Sequence, residues 1–450
     1  MSRLSSPSGL FFSDALIQPS LLSQAVSPAS CDGFRIHQTA LENALPCVSG
    51  SRHPLRPASM GGDVCPADIS TSTRLVVGPR NQNCILSPSE YCQCQVSCLF
   101  IQKKRHVDYI AACLNSVGGI PPFPDHHAIL PSKEAQGIWI DGAPELITGD
   151  LKLWTALSKV ESTRIPGYWF GKRGIAPEPK IPVQAGERVF LFLHGGGYIV
   201  LSAHPRSLTS VIPRSLVELN GTVPHALAVE YRLSSTHPLP DRHPFPTALL
   251  DALAGYNYLV NVAGYHPSNI IVAGDSAGGN LALALVRYLV ENKGVSDVPL
   301  PSPPGSLLLL SPWTDMSGSH DILGSSALTN KEDIFENLTD KAGLAPYAKR
   351  AFVGPHGLGM AGTNRYISPA SLHPLANARF TGFPRTFIQA GGVERLLDQI
   401  RTLRKKMAAD IGENEVTYYE ATDAIHDYLA FVPWHPACPS TLEAIQQWLA

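Results

Sequence analysis

The chain has 450 residues, of which 44% are hydrophobic and 16% charged, and its formal net charge is -2. That length allows one large catalytic domain with extras, or two to three domains. So even a charge balance leaves no electrostatic footprint for nucleic acid or an acidic partner, and no apolar run reaches the ~18 residues that a membrane-spanning helix needs.

The first residues, "MSRLSSPSGLFFSDALIQPS", lack the basic start and unbroken apolar core of a secretory signal. A cytoplasmic location is therefore expected; the oligomeric state is left open. Nine cysteines are present, eight of them at or before Cys113 and the ninth at Cys438. An odd count without a signal argues against a disulfide framework. "CQCQVSC" (Cys92, Cys94, Cys98) lacks a second ligand pair at zinc spacing, so no metal is expected there. Asn220 and Asn337 match the glycosylation pattern, which reads as chance in a chain that is not secreted. Residues 1–130 are rich in Ser, Pro, Cys and Gly and show no sustained period. They read as a poorly ordered extension, or as a stretch joined upstream of a domain spanning 131–450. The basic run "QKKRH" (Gln102 to His106) reads as a solvated face.

From about Trp139 the texture changes. Leu146 to Val160 carries apolar residues at helical spacing. Strands are predicted at Val189–Leu193, Ala226–Tyr231, Ile270–Ala273, Leu307–Ser311, Thr386–Ala390 and Val416–Glu420. Helices are predicted at Pro246–Val262, Ala277–Glu291, Leu396–Ala409 and Thr441–Leu449. Strands alternating with helices predict an α/β fold, a mostly parallel sheet covered on both faces.

The strand at Val189–Leu193 runs into "HGGG", His194 to Gly197. Glycine is costly to order, so the backbone there does something a side chain would obstruct. Further on, "NIIVAGDSAGGNLALALVRYLV" places G-x-S-x-G between a strand and a helix, the setting of a nucleophile elbow. Ser276 is thus the candidate nucleophile, at a turn whose neighbours are small and beside a helix N-terminus that favours a developing anion. An attacked carbonyl becomes an oxyanion that needs N–H donors about 3 Å away. Ala277 can supply one, and Gly195 and Gly196, with no Cβ in the way, can supply the others. His194 reads as a brace for that loop.

A serine nucleophile needs a base, and the base an orienting carboxylate, in the chain order Ser, acid, His. His426, in "EATDAIHDYLAF" after the last strand, is the candidate base; His435, between prolines in "VPWHPAC", is its competitor. In "RTFIQAGGVERLLDQI" Glu394 lies in the loop at the strand end and is the candidate acid. Asp398, one helical turn later, is the reserve.

Together "HGGG", "GDSAGG" (Gly274 to Gly279), "YRLS…HPLP…FPTALLD" (Tyr231 to Asp251), "SPW" (Ser311 to Trp313), "YISP" (Tyr366 to Pro369) and "IHDYLAF" (Ile425 to Phe431) resemble the hormone-sensitive lipase branch of the α/β-hydrolases. The resemblance runs from about Leu146 to the C-terminus. It implies an α/β-hydrolase fold with a small helical cap, to which the helix near Leu146–Val160 would contribute. It implies a Ser276–Glu394–His426 triad and an oxyanion hole of Gly195, Gly196 and Ala277. The family's acid often sits in D-P-L-x-D; here the string is Glu-Arg-Leu-Leu-Asp, with Glu394 on the acid position. Tyr231, Arg232 and Asp251 fall on structural positions. The expected activity is hydrolysis of small or medium acyl esters, with no cofactor. The alternatives are acyl transfer on the same triad and a receptor-like binding module, the latter disfavoured by the presence of His426.

Overall fold

The computed structural model describes residues 126–172, 183–219, 223–294, 298–334, 343–431 and 437–450. Cys92, Cys94, Cys98, the run from Gln102 to His106, Asn220, Asn337, His435 and nearly all of the expected N-terminal extension lie outside the described residues.

The sequence order of strands is β1 (Gln136–Ile140), β2 (Ile165–Gly171), β3 (Val189–Leu193), β4 (His225–Val229), β5 (Ile270–Asp275), β6 (Ser306–Leu310), β7 (Arg385–Gly391) and β8 (Val416–Ala421). They form one eight-stranded sheet in the order β1-β2-β4-β3-β5-β6-β7-β8. β2 pairs antiparallel with β1 and with β4, and every other pairing is parallel. The helices that cover it are α1 (Gly149–Ser158), α2 (Val211–Leu219), α3 (Thr247–Asn257), α4 (Ser276–Glu291), α5 (Leu344–Val353), α6 (Leu397–Ile411) and α7 (Ala437–Leu449).

The central strands are apolar throughout because both faces are covered. Side chains alternate across a strand, and β3 shows the result. Leu191 and Leu193 join a core with Leu281, Leu285 and Leu289 of α4 and Ile400 and Leu403 of α6. Phe190 and Phe192 join the opposite core with Ile212 and Leu216 of α2 and Ile445 of α7. The six strands predicted from apolar runs are all present, within a residue or two of the expected bounds. The helix expected at Pro246–Val262 is α-helical to Asn257 and ends in a π-type turn, Tyr258–Val262.

β1 and β2 are absent from the sequence prediction. "QGIWI" and "IPGYWFG" hold a glycine or a proline among their apolar residues, which reads locally as a break. Tertiary pairing overrides this. Pro166 is in place as an acceptor, its carbonyl taking the Glu230 N–H at 3.0 Å.

One buried ion pair ties β4's exit to α3. The Arg232 guanidinium lies 2.7 Å from Asp251 Oδ1, and Asp251 Oδ2 also accepts the Arg232 backbone N–H at 2.8 Å. Both side chains are buried. Asp251→Ala strands the guanidinium, so unfolding free energy is expected to fall by about 3–5 kcal/mol. Urea unfolding of the full chain measures it. A loss under about 1 kcal/mol would mean that the pair stabilises no more than a surface contact does.

Candidate active site

β5 ends at Asp275 and α4 begins at Ser276, with no loop between them. So abrupt a turn puts Ser276 at φ 50°, in the left-handed region, which costs a non-glycine residue roughly 1–3 kcal/mol. It also forces close packing. A Cβ on Gly278 would stand 1.9 Å from the Leu193 carbonyl oxygen, so the crossing of α4 over the end of β3 demands glycine there. The Ser276 carbonyl accepts the Trp313 N–H at 2.9 Å, fastening the turn to the loop after β6.

The loop after β3 carries the three glycines. Gly196 has φ 106°, and its carbonyl accepts the N–H groups of Ile199 and Val200 at 3.0 and 3.1 Å. A Cβ there would meet the Val200 carbonyl oxygen at 2.1 Å. The turn therefore closes only on glycine. His194 braces this loop, with Nδ1–H donating to the Gly195 carbonyl at 2.7 Å and the ring stacked on Tyr231 at 4.2 Å. Burial pushes its imidazole down to about 4, so it stays neutral at ordinary pH.

Two further loops meet this turn. His426 follows β8, and its Nε2 lies 2.9 Å from Ser276 Oγ. Glu394 follows β7, and its Oε2 accepts from His426 Nδ1 at 2.9 Å while Oε1 accepts the Gly391 N–H at 3.1 Å. All three side chains are buried. Burial pushes the Glu394 carboxyl up to about 7, with the imidazole's hydrogen bond and charge opposing it. Burial also works against a charged His426. The charges and hydrogen bonds of Asp427 and Glu394 outweigh it and hold the imidazolium well above the usual histidine range. Asp398 is partnered elsewhere: its Oδ2 accepts the Ser326 N–H at 2.7 Å, and Oδ1 lies 3.7 Å from Arg401. The structure therefore brings Ser276, His426 and Glu394 into one hydrogen-bonded line and sets Asp398 against a different segment.

Two neighbours escaped sequence reasoning. Asp333, buried in a loop after β6, accepts the His426 backbone N–H at 2.9 Å through Oδ1 and the Arg395 N–H at 2.8 Å through Oδ2. It holds the histidine loop and the acid loop to each other. Nothing periodic or motif-like marks it. Asp427 directly follows the histidine and was visible in "IHDYLAF"; its Oδ2 lies 3.1 Å from His426 Nε2.

Ser276, His426 and Gly196 open onto one cleft of about 710 Å³, part of it continuous with solvent. Its walls are apolar, with Ile199, Leu208, Leu344, Ala348 and Phe431 among them. α5 contributes Leu344, Ala345 and Ala348 to the lining. The expected cap helix, present as α1, adds no lining residue to this cleft; Trp154 on α1 packs instead against Phe245 and Tyr366, at 5.1 and 5.0 Å between rings. Among the described residues no cluster of three or more His, Cys, Asp or Glu could hold a metal ion, and no helix is long and apolar enough to cross a membrane.

A family profile described as the alpha/beta hydrolase fold matches residues 190–430, just over half of the chain. An acetyl-hydrolase of Streptomyces hygroscopicus is 31% identical over 292 residues, covering 62% of this chain and 83% of that protein. Esterase LipU of Mycobacterium tuberculosis is 28% identical over 274 residues, covering 60% and 80%. Among solved structures, a hyperthermophilic esterase from the archaeon Pyrobaculum calidifontis aligns with a TM-score of 0.51 at 19% identity, over 78% of this chain and 90% of that one. That last likeness is one of fold.

Proposed function

The chain belongs to the alpha/beta hydrolase fold family as a carboxylesterase- and lipase-like hydrolase, and from that premise we propose that it hydrolyses small or medium acyl esters through an acyl-enzyme on Ser276. His426 is the general base and Glu394 its acid partner. The N–H groups of Gly195, Gly196 and Ala277 receive the oxyanion.

The observation that carries this reading is the unbroken line from Ser276 Oγ to His426 Nε2 and from His426 Nδ1 to Glu394, at 2.9 Å for each step. A serine hydroxyl is a weak nucleophile unless a base takes its proton as it attacks. At 2.9 Å from Oγ the imidazole is within reach to do so. Attack forms the Oγ–carbonyl bond and moves the proton to His426. The Glu394 carboxylate steadies the imidazolium. The tetrahedral oxyanion collapses, the ester C–O bond breaks, and His426 returns its proton to the departing alcohol. Water, deprotonated by the same histidine, then attacks the acyl-enzyme and releases the acid and free Ser276.

The apolar cleft supports an acyl group of modest size, and the relative named an acetyl-hydrolase points to the short end of the range. The full chain is expected to turn over p-nitrophenyl acetate, butyrate and octanoate with kcat/KM at least about tenfold above palmitate, the loss of one to two kcal/mol when a chain outgrows its pocket. A maximum at palmitate would overturn the size assignment. No turnover of any of the four by folded protein would overturn the hydrolase reading.

A further inference from the structure

Asp427 has no role in the reaction as described, yet it occupies the reacting space. Its backbone is left-handed, φ 50° and ψ 30°, a conformation that aspartate tolerates better than most residues. The turn brings the side chains of consecutive residues together, so that Asp427 Oδ2 stands 3.1 Å from His426 Nε2. This is the same nitrogen that lies 2.9 Å from Ser276 Oγ. The other carboxylate oxygen, Oδ1, is buried without a hydrogen-bond partner among the described residues. The cleft offers it little: of the residues that line it with Asp427, Ile199, Leu208, Leu344, Ala348 and Phe431 bring only apolar side chains. A second polar atom in that lining, the Thr209 hydroxyl, is likewise buried and unpartnered.

An apolar pocket that holds a carboxylate with an unused oxygen is incomplete without a donor. The position of that carboxylate says where the donor belongs. When the alcohol departs, its oxygen must sit within about 3 Å of His426 Nε2 to receive the proton. Asp427 Oδ2 is 3.1 Å from that nitrogen, and both residues line the cleft. A hydroxyl on the second carbon of the alcohol would lie between the ester oxygen and the carboxylate. Resting on the hydrolase reading above, we propose that Asp427 is a specificity residue that accepts a hydrogen bond from a hydroxyl on the alcohol half of the substrate, so that the preferred substrates are monoesters of diols or polyols. In the same contact the substrate's hydroxyl draws the carboxylate off Nε2 and leaves that nitrogen to serine.

The charges around His426 give a second readout. Asp427 and Glu394 face its ring, Asp333 holds its backbone N–H, and Asp275 lies buried beneath, its carboxyl pushed well up by burial and by the Asp427 charge. His426 is raised well above its usual range, with Asp427 foremost among the groups that raise it against burial. Removing the Asp427 charge lowers that value, so the acid limb of kcat/KM moves to lower pH.

The test compares 2-hydroxyethyl butyrate with propyl butyrate, which puts a methyl where the hydroxyl was, each normalised to its rate of hydrolysis by hydroxide. The full chain is expected to prefer the hydroxyethyl ester about tenfold or more, the weight of one hydrogen bond to a charged acceptor. Asp427→Gly, which suits a left-handed backbone, is expected to bring the ratio to about 1. Asp427→Asn, an uncharged acceptor, should fall between, and both variants should shift the acid limb of propyl butyrate hydrolysis downward. Hydrolysis of both esters at equal normalised rates by the parent, or a preference that survives Asp427→Gly, overturns the inference and leaves the hydrolase reading standing. Failure of the folded parent to hydrolyse either ester overturns both.

Discussion

Ser276→Ala is expected to lower kcat for ester hydrolysis about a million-fold, close to the loss seen when a whole triad is removed. The reason lies in the division of labour. The oxyanion loop and the cleft remain, but no group is left to form the acyl-enzyme, and His426 has no hydroxyl to deprotonate. Water attacking directly would have to find the place that Oγ occupies. The backbone at φ 50° supplies an internal control. Ser276→Gly removes the same hydroxyl and also the Cβ that makes a left-handed turn costly, so it should be as inactive and more stable by roughly 1 kcal/mol. Initial rates on p-nitrophenyl butyrate with thermal unfolding in parallel check both. Residual activity above about 1% of the parent in either variant, far more than an oxyanion hole and binding retain on their own, would remove Ser276 from the mechanism.

Glu394→Gln is expected to cost about 10⁴-fold in kcat with little change in fold, because an amide fills the same space but stabilises neither the required tautomer nor the imidazolium. Glu394 is fully buried, with Oε2 on His426 and Oε1 on the Gly391 N–H. The substitution therefore removes a charge from the one place where solvent cannot replace it. Asp398→Asn is the paired control. Its carboxylate sits in the first turn of α6 and accepts the Ser326 N–H at 2.7 Å. Losing the charge there should cost about 0.3–1 kcal/mol of stability and less than about tenfold in activity. Steady-state kinetics of the two variants side by side decide between the carboxylates. A larger loss in Asp398→Asn than in Glu394→Gln would reverse the assignment.

These two carboxylates show how far sequence reading reaches. They are four residues apart in a single string, and the first was favoured by its position at the strand end and by falling on the acid position of the family it resembles. The structure places Glu394 in a loop beside the β8–α7 connection and turns Asp398 along α6 toward Ser326. Glu394 lies before α6 begins at Leu397 and Asp398 lies in its first turn, so four residues of sequence separate a strand-end loop from a helix surface. β1 and β2 illustrate the converse. Their local signals, Gly137, Pro166 and Gly167, argue against strands, and the pairing of β2 with β1 on one side and β4 on the other supplies the hydrogen bonds that outweigh them. The lining of the cleft by α5 in place of α1 could not be read from either ten-residue helix, since it depends on where the rest of the fold carries each one.

By itself the sequence determined the parallel strands β3 to β8, the helices α3, α4, α6 and α7, the elbow at Ser276 and the glycine turn after β3, but neither α2 nor α5. Each of these follows from neighbours in the chain: apolar period, strand-to-helix adjacency, and the absence of a Cβ where backbones cross. Only the tertiary structure decided which carboxylate meets His426, that Asp333 clasps its loop, and that Asp427 stands against His426 Nε2 in the wall of the cleft. Those contacts join residues as much as 93 positions apart, and their existence depends on where strand ends converge, on burial that strips away water, and on which buried polar atoms find partners.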